Sequence, residues 1–272
     1  MNRVSEAFAA LAREKRKGVI PFLCGGRPTR ASFGACLLSA DRAGATVIEV
    51  GIPFSDPIAD GPVIASAMHR ALQEGVTVEG VFEAVSASRA GVKAALVAMV
   101  SVSIVHRIGA ARFAKEARGA GFDGVIYPDA PLEEAGRYTE PARSEGLTAS
   151  LLVAPTTPSD RAGRIAKASS GFVYVLARAG ITGAGGGSGK PAGLAERIAS
   201  LRKVTELPLA CGFGISSPED AASVTAPAPR GAGADAAIVG SALVRRVEES
   251  GPENAPEATH NFVCSLVRGV SF

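Results

Sequence analysis

A chain of 272 residues with 47% hydrophobic and 20% charged residues can bury a large core, which excludes a disordered polypeptide. Its net charge of +3 includes no dense Lys/Arg block with interleaved aromatics, so a nucleic-acid-binding surface is not expected. Aromatic residues are 5% with no Trp, so small aliphatic side chains must fill the core.

The four cysteines, Cys24, Cys36, Cys211 and Cys264, are scattered and form no C-x-x-C pair. Neither a disulfide framework nor a metal site is expected, and reduced thiols in a cytoplasmic protein are the default. The opening MNRVSEAFAALAREKRKG is too charged for a secretory leader. No apolar run reaches the ~18 residues needed to span a bilayer, so no membrane association is expected.

In chain order, Ser5 to Lys15 places Phe8, Leu11 and Ala12 at helical spacing, with Ser5 as its expected cap. Eight short apolar runs follow: GVIPFLC (18–24), TVIEVG (46–51), AALVAMV (94–100), GVIYP (124–128), TASLLVA (148–154), FVYVLA (172–177), LPLACG (207–212) and AAIVG (236–240). Their near-continuous hydrophobicity reads as parallel strands buried on both faces. Helical patterns such as ASFGACLLSADRAG, VEGVFEAVSASRAG, GAARFAKEARGAG and LAERIASLRKV lie between them. Strict alternation predicts an α/β protein, one (β/α)₈ TIM-barrel domain over residues 1–272 with an extra N-terminal helix. A doubly wound open sheet is the alternative, because periodicity does not distinguish an open sheet from a closed one. The glycine-rich GAGGGSGKPAG (183–193) reads as a long loop and lid after the sixth strand. TAPAPRGAGA (225–234) reads as a second loop.

In such barrels, function collects where strands end and loops begin. After the second strand comes Glu49-Val50-Gly51-Ile52-Pro53-Phe54-Ser55-Asp56-Pro57-Ile58-Ala59-Asp60-Gly61-Pro62. Glu49 lies inside an apolar strand, where a carboxyl is costly unless it is paired or kept for chemistry. Pro53, Pro57 and Pro62 stiffen the loop that carries Asp56 and Asp60. Two carboxyls in unlike surroundings can divide acid and base duties. Gly212-Phe213-Gly214-Ile215-Ser216-Ser217 and Gly240-Ser241 follow the seventh and eighth strands, where backbone N–H groups at glycines and helix N-termini can hold a phosphate.

The run Glu49 to Pro62 resembles the tryptophan synthase alpha subunit family. So do Pro21-Phe22, Asp129-x-Pro131-x-Glu133-Glu134, Ala179-Gly180-Ile181-Thr182-Gly183, Gly212 to Glu219 and Ile238 to Ala242, in order along nearly the whole chain. The resemblance implies retro-aldol cleavage of indole-3-glycerol phosphate to indole and glyceraldehyde 3-phosphate, without metal or organic cofactor. It implies that Glu49 is the acid/base, that Asp60 accepts a hydrogen bond from the indole N–H, and that Tyr174 stands beside Asp60. Phe22 and Phe213 would line the indole pocket. Gly183, Gly214, Gly240 and Ser241 would cradle the phosphate, and Thr182 would belong to the closing loop.

Three departures from the family pattern stand out, one of them an apparent insertion at 225–234 just before the eighth strand. After the third strand the usual Thr/Ser-Tyr-Tyr/Trp-Asn-Pro is replaced by Val100-Ser101-Val102-Ser103-Ile104, and the usual Gly-Asp-Pro after the first strand is Gly26-Arg27-Pro28. The third-strand loop is where the family meets its beta subunit, so coupling to that partner is in question. The alternatives to a tryptophan-pathway lyase are a stand-alone lyase supplying indole elsewhere and a weakly catalytic barrel that regulates a beta subunit.

Overall fold

The computed structural model describes residues 2–57, 60–177, 193–212, 214–226 and 233–271. The chain begins with α1 (Arg3–Arg13), β1 (Gly18–Cys24), α2 (Arg30–Arg42) and β2 (Val47–Gly51). Two helices, α3 (Pro62–Gln73) and α4 (Val78–Ser88), lead to β3 (Ala95–Met99). Two more, α5 (Val102–Ile108) and α6 (Ala110–Ala120), lead to β4 (Gly124–Ile126). There follow α7 (Gly136–Ser144), β5 (Thr148–Ser150), β6 (Leu152–Val153), α8 (Ser159–Ala168) and β7 (Val173–Leu176). The described chain ends with α9 (Leu194–Leu201), β8 (Leu209–Gly212), α10 (Pro218–Thr225), β9 (Ala236–Val239) and α11 (Ser241–Gly269).

Every pairing is parallel, and the strand order is β5-β4-β3-β2-β1-β9-β8-β7-β6. The two ends of that order, β5 and β6, are consecutive pieces of one strand interrupted at Leu151. The sheet therefore closes on itself as eight strands, and the open-sheet alternative is excluded. Alternation along each strand sorts side chains between two buried layers. Phe22, Val47, Val97, Met99, Tyr174 and Ile238 face the barrel interior. Val19, Ile48, Val50, Leu96, Val175 and Val239 face the surrounding helices. Burial on both faces explains the unbroken hydrophobicity of the strand sequences.

The N-terminal helix closes the bottom of the barrel. Its Val4, Phe8 and Leu11 join the interior layer, with the Phe8 and Phe172 rings 5.7 Å apart. The cap is Asn2, not Ser5. Its side-chain oxygen accepts from the Val4 N–H at 2.9 Å. Its amide donates to the carbonyls of Asp123 and Gly146, just before β4 and β5, at 2.7 and 2.8 Å. Asn outcompetes Ser here because one side chain both caps the helix and fastens it to the barrel. Cys24, Cys36, Cys211 and Cys264 are all unpaired thiols. Among the described residues, no helix is long and apolar enough to cross a membrane.

Candidate active site

A cavity of about 530 Å³ opens among the strand ends, lined by Phe22, Glu49, Asp60, Tyr174, Gly214, Gly240 and Ser241 among others. Glu49 enters it because of strand parity. Val47 and Gly51, two residues to either side, also face inward, whereas Ile48 and Val50 face the helices. Register places Glu49 between Phe22 of β1 and Val97 of β3.

The Glu49 residue is 1% exposed, and both of its carboxyl oxygens are buried without a hydrogen-bond partner. Burial, and secondarily the charge of Asp60, push its pKa up to about 8. At neutral pH Glu49 is therefore mainly the protonated acid. Asp60 is half-buried at the cavity wall, and its N–H donates to the Pro57 carbonyl at 2.9 Å. Burial raises its pKa to about 6, so at neutral pH it remains mainly a carboxylate. The two carboxyls thus hold different protonation states at one pH, as an acid and an anionic stabiliser require.

Tyr174 on β7 is buried. Its pKa lies well above the ordinary phenol value, first through burial and then through the charges of Glu49 and Asp60. The ring has room because residue 212 on the neighbouring strand is glycine. A Cβ there would lie 2.7 Å from the Tyr174 hydroxyl oxygen and 3.0 Å from two ring carbons.

The other end of the cavity is backbone. Gly240 occupies the N-cap of α11, and no side chain caps that helix. The first N–H groups of such a terminus lack intrahelical partners and favour an anion. Gly214 takes a left-handed φ of 80° just ahead of α10, whose own N-terminus is capped by Ser217. Among the described residues, no Lys or Arg lines this cavity.

The family model described as tryptophan synthase alpha chain matches residues 8–268. A tryptophan synthase alpha chain from Synechocystis is 40% identical over 271 residues, covering 100% of both chains. One from Microcystis aeruginosa is 38% identical, covering 99% of this chain and 100% of its own length. The fold superposes on a Mycobacterium tuberculosis tryptophan synthase structure with a TM-score of 0.88 at 30% identity, covering 100% of this chain and 99% of that one. It superposes on tryptophan synthase subunit alpha from Legionella pneumophila with a TM-score of 0.85 at 29% identity, covering 99% and 98%.

The chain belongs to the tryptophan synthase alpha chain family.

Within this family member, the structure brings together seven of the ten residues singled out from sequence: Phe22, Glu49, Asp60, Tyr174, Gly214, Gly240 and Ser241 all line the one cavity. Thr182, Gly183 and Phe213 lie outside the described residues, as does most of the expected lid. The remaining wall, which the sequence reading missed, is apolar: Ile64, Met99, Pro128, Leu152, Ile215 and Ile238. Strand parity supplies a signal for two of them, since Met99 and Ile238 stand two residues beyond the inward-facing Val97 and Ala236.

A second cavity of about 380 Å³ shares the walls Asp60, Met99 and Pro128 with the first. It extends past Phe54, exposed Asp56 and Pro57 toward Ser101 and Asp129. The stretch read from sequence as an altered loop, Val100 to Ile104, is largely the beginning of α5. The Ser101 hydroxyl donates to Asp129 at 2.6 Å and accepts from the Ser103 N–H at 3.2 Å. The Val102 N–H donates to the other Asp129 oxygen at 2.9 Å. Ser101 and Asp129 together satisfy the helix start that the missing aromatic, amide and proline leave behind.

Proposed function

We propose that Glu49, Asp60 and Tyr174 carry the reaction of this family member, the aldol cleavage of indole-3-glycerol phosphate to indole and glyceraldehyde 3-phosphate in tryptophan biosynthesis. The observation that supports this most is the Glu49 carboxyl. It is buried and without a partner, it faces a mostly apolar cavity, and it shares that cavity with a second carboxyl of lower pKa. An unsatisfied buried carboxyl costs stability, and a site that uses it for chemistry explains its retention.

The substrate's indole would lie among Phe22, Met99, Leu152 and Tyr174, with its phosphate on the N–H groups at Gly214, Gly240 and Ser241. Glu49 gives its proton to indole C3, which makes the ring a cationic indolenine. Asp60, facing the ring nitrogen, offsets that charge. Glu49, now a carboxylate, takes the proton from the glycerol hydroxyl on the carbon bonded to C3. The C–C bond breaks, its electrons restore the aromatic indole, and the oxygen becomes the aldehyde carbonyl. No net proton is consumed, and Glu49 ends as it began. Tyr174, kept neutral, forms part of the cavity wall beside the two carboxyls.

The family also implies a beta subunit as partner. We infer that coupling to it is weak in this chain, because the stretch that would meet it carries Ser101, Val102, Ser103 and Ile104. This favours a lyase that releases indole on its own. Indole formation from indole-3-glycerol phosphate, measured with and without the cognate beta subunit, tests both readings. No turnover under either condition overturns the first, and strong activation overturns the second.

A further inference from the structure

Arg27 stands where the family usually has an acidic residue, and it is 7% exposed. Its guanidinium forms a two-pronged pair with Glu248, Nε to Oε1 at 2.8 Å and Nη2 to Oε2 at 2.7 Å. Its remaining terminal nitrogen is hydrogen-bonded to Glu74. Arg70 adds a contact to Glu248 at 3.0 Å.

The partners sit on two particular helices. Glu248 is seven residues into α11, the helix that begins with Ser241 at the phosphate end. Arg70 lies in the last turn of α3 and Glu74 is its C-cap, and α3 begins two residues after Asp60. Arg27 itself follows the strand that carries Phe22. The same three elements meet again at the cavity wall. A Cβ on Gly240 would lie 3.4 Å from the Ile64 side chain and 3.9 Å from that of Phe22.

The Arg27–Glu248 pair is enclosed while Glu74 and Arg70 are about half exposed, and such a network gives little net stability, because desolvation offsets most of the attraction of the buried pair and solvent weakens the rest. A planar, two-pronged guanidinium does fix direction and distance. We propose that Arg27 is a positioning residue that couples the two ends of the site, so that a phosphate held at α11 sets the placement of Asp60 through α3. This rests on the assignment of the phosphate to Gly240 and Ser241 made above.

The test is calorimetric titration of indole into wild type, Arg27→Met and Arg27→Lys, each with and without saturating glycerol 3-phosphate. That probe lacks the aldehyde and does not condense with indole. The phosphate ester is expected to tighten indole binding by about fivefold or more in wild type and by less than about 1.5-fold in Arg27→Met, with Arg27→Lys between them. A purely structural role lowers the melting temperature and leaves this factor unchanged, which overturns the proposal, as does a wild type that shows no enhancement. Should Arg27→Met not fold, Glu248→Gln and Arg27→Lys carry the same comparison. Ser241→Glu separates the two layers of inference. If glycerol 3-phosphate still binds that variant as it binds wild type, the failure belongs to the phosphate assignment and not to the coupling.

Discussion

Phe22 and Glu49 are direct partners in the register of β1 and β2, and the Phe22 ring fills the space above Gly51, 2.3 Å from where a Cβ would stand. The strand thus places an aromatic ring beside the carboxyl two residues before that glycine. Water is displaced from Glu49 by hydrocarbon, and the carboxyl keeps its proton.

The first prediction follows from that proton. Glu49→Gln preserves shape and removes acid and base together. Indole release is expected to fall by about 10²–10⁴-fold, the usual contribution of a general acid–base group, while substrate affinity stays close to wild type. Single-turnover formation of indole within threefold of wild type, as a rough limit set against that range, shows the assignment wrong.

The rate should also depend on pH in a specific way. Asp60 must be ionised and Glu49 protonated, and their pKa values stand at about 6 and about 8. A plot of kcat/KM against pH is expected to rise through the lower value and fall through the higher, with each limb belonging to the interacting pair. Asp60→Asn should remove the acidic limb along with most of the activity. A profile flat from pH 5 to 9, as approximate bounds around those limbs, contradicts the division of roles.

Stability should fall over the pH range in which the acidic limb of catalysis rises. The Glu49 pKa is raised from 4.5 to about 8 by burial and then by the Asp60 charge. Below about 4.5 folded and unfolded chains both hold the proton, and the carboxyl carries no ionisation penalty. As pH rises the unfolded chain ionises first, so stability is lost progressively until the folded value near 8 is passed, at about 1.4 kcal/mol for each unit of difference as an upper bound. Glu49→Gln escapes this loss. Its melting temperature relative to wild type should climb between pH 5 and 8.5 by several degrees, at roughly 2–4 °C per kcal/mol for a chain of this size. A difference independent of pH rules this out.

At the phosphate end, Gly214 adopts a φ of 80°. A β-branched side chain is strained there and intrudes on the backbone that would face the anion. Gly214→Val is expected to raise KM for indole-3-glycerol phosphate by about tenfold or more, equivalent to at least 1.4 kcal/mol. Binding of indole alone should change far less. Equal losses for both ligands point to general damage instead.

For the beta subunit, Ser101–Ile104 offers no aromatic anchor, and two such anchors would be worth about 2 kcal/mol each, or roughly a thousandfold in affinity. The Ser101–Asp129 cap keeps the start of α5 ordered without replacing that apolar area. A weak complex is expected by titration calorimetry with the cognate partner. A submicromolar complex with strong activation of indole production refutes it.

The strands and the buried, inward-facing place of Glu49 were readable from sequence because both depend on local pattern. Short apolar runs mark the eight barrel strands, and a lone Glu inside one of them marks Glu49. What was not readable depends on distant partners. Asn2 displaces Ser5 as the cap because it meets carbonyls 121 and 144 residues away. The break at Leu151 that divides the fifth barrel strand in two leaves no mark on TASLLVA. The stretch after β3 looked like an impoverished loop because its support, Asp129, comes from the next strand's exit. Arg27 registered only as a departure, since its partner Glu248 lies 221 residues on.

The crowding of Tyr174 over Gly212 makes these two positions historically and experimentally dependent. An alanine at 212 requires the Tyr174 ring to shift, and a smaller residue at 174 opens a void that a side chain at 212 could then fill. Libraries that vary positions 174 and 212 together should return larger residues at 212 more often than libraries that vary 212 alone.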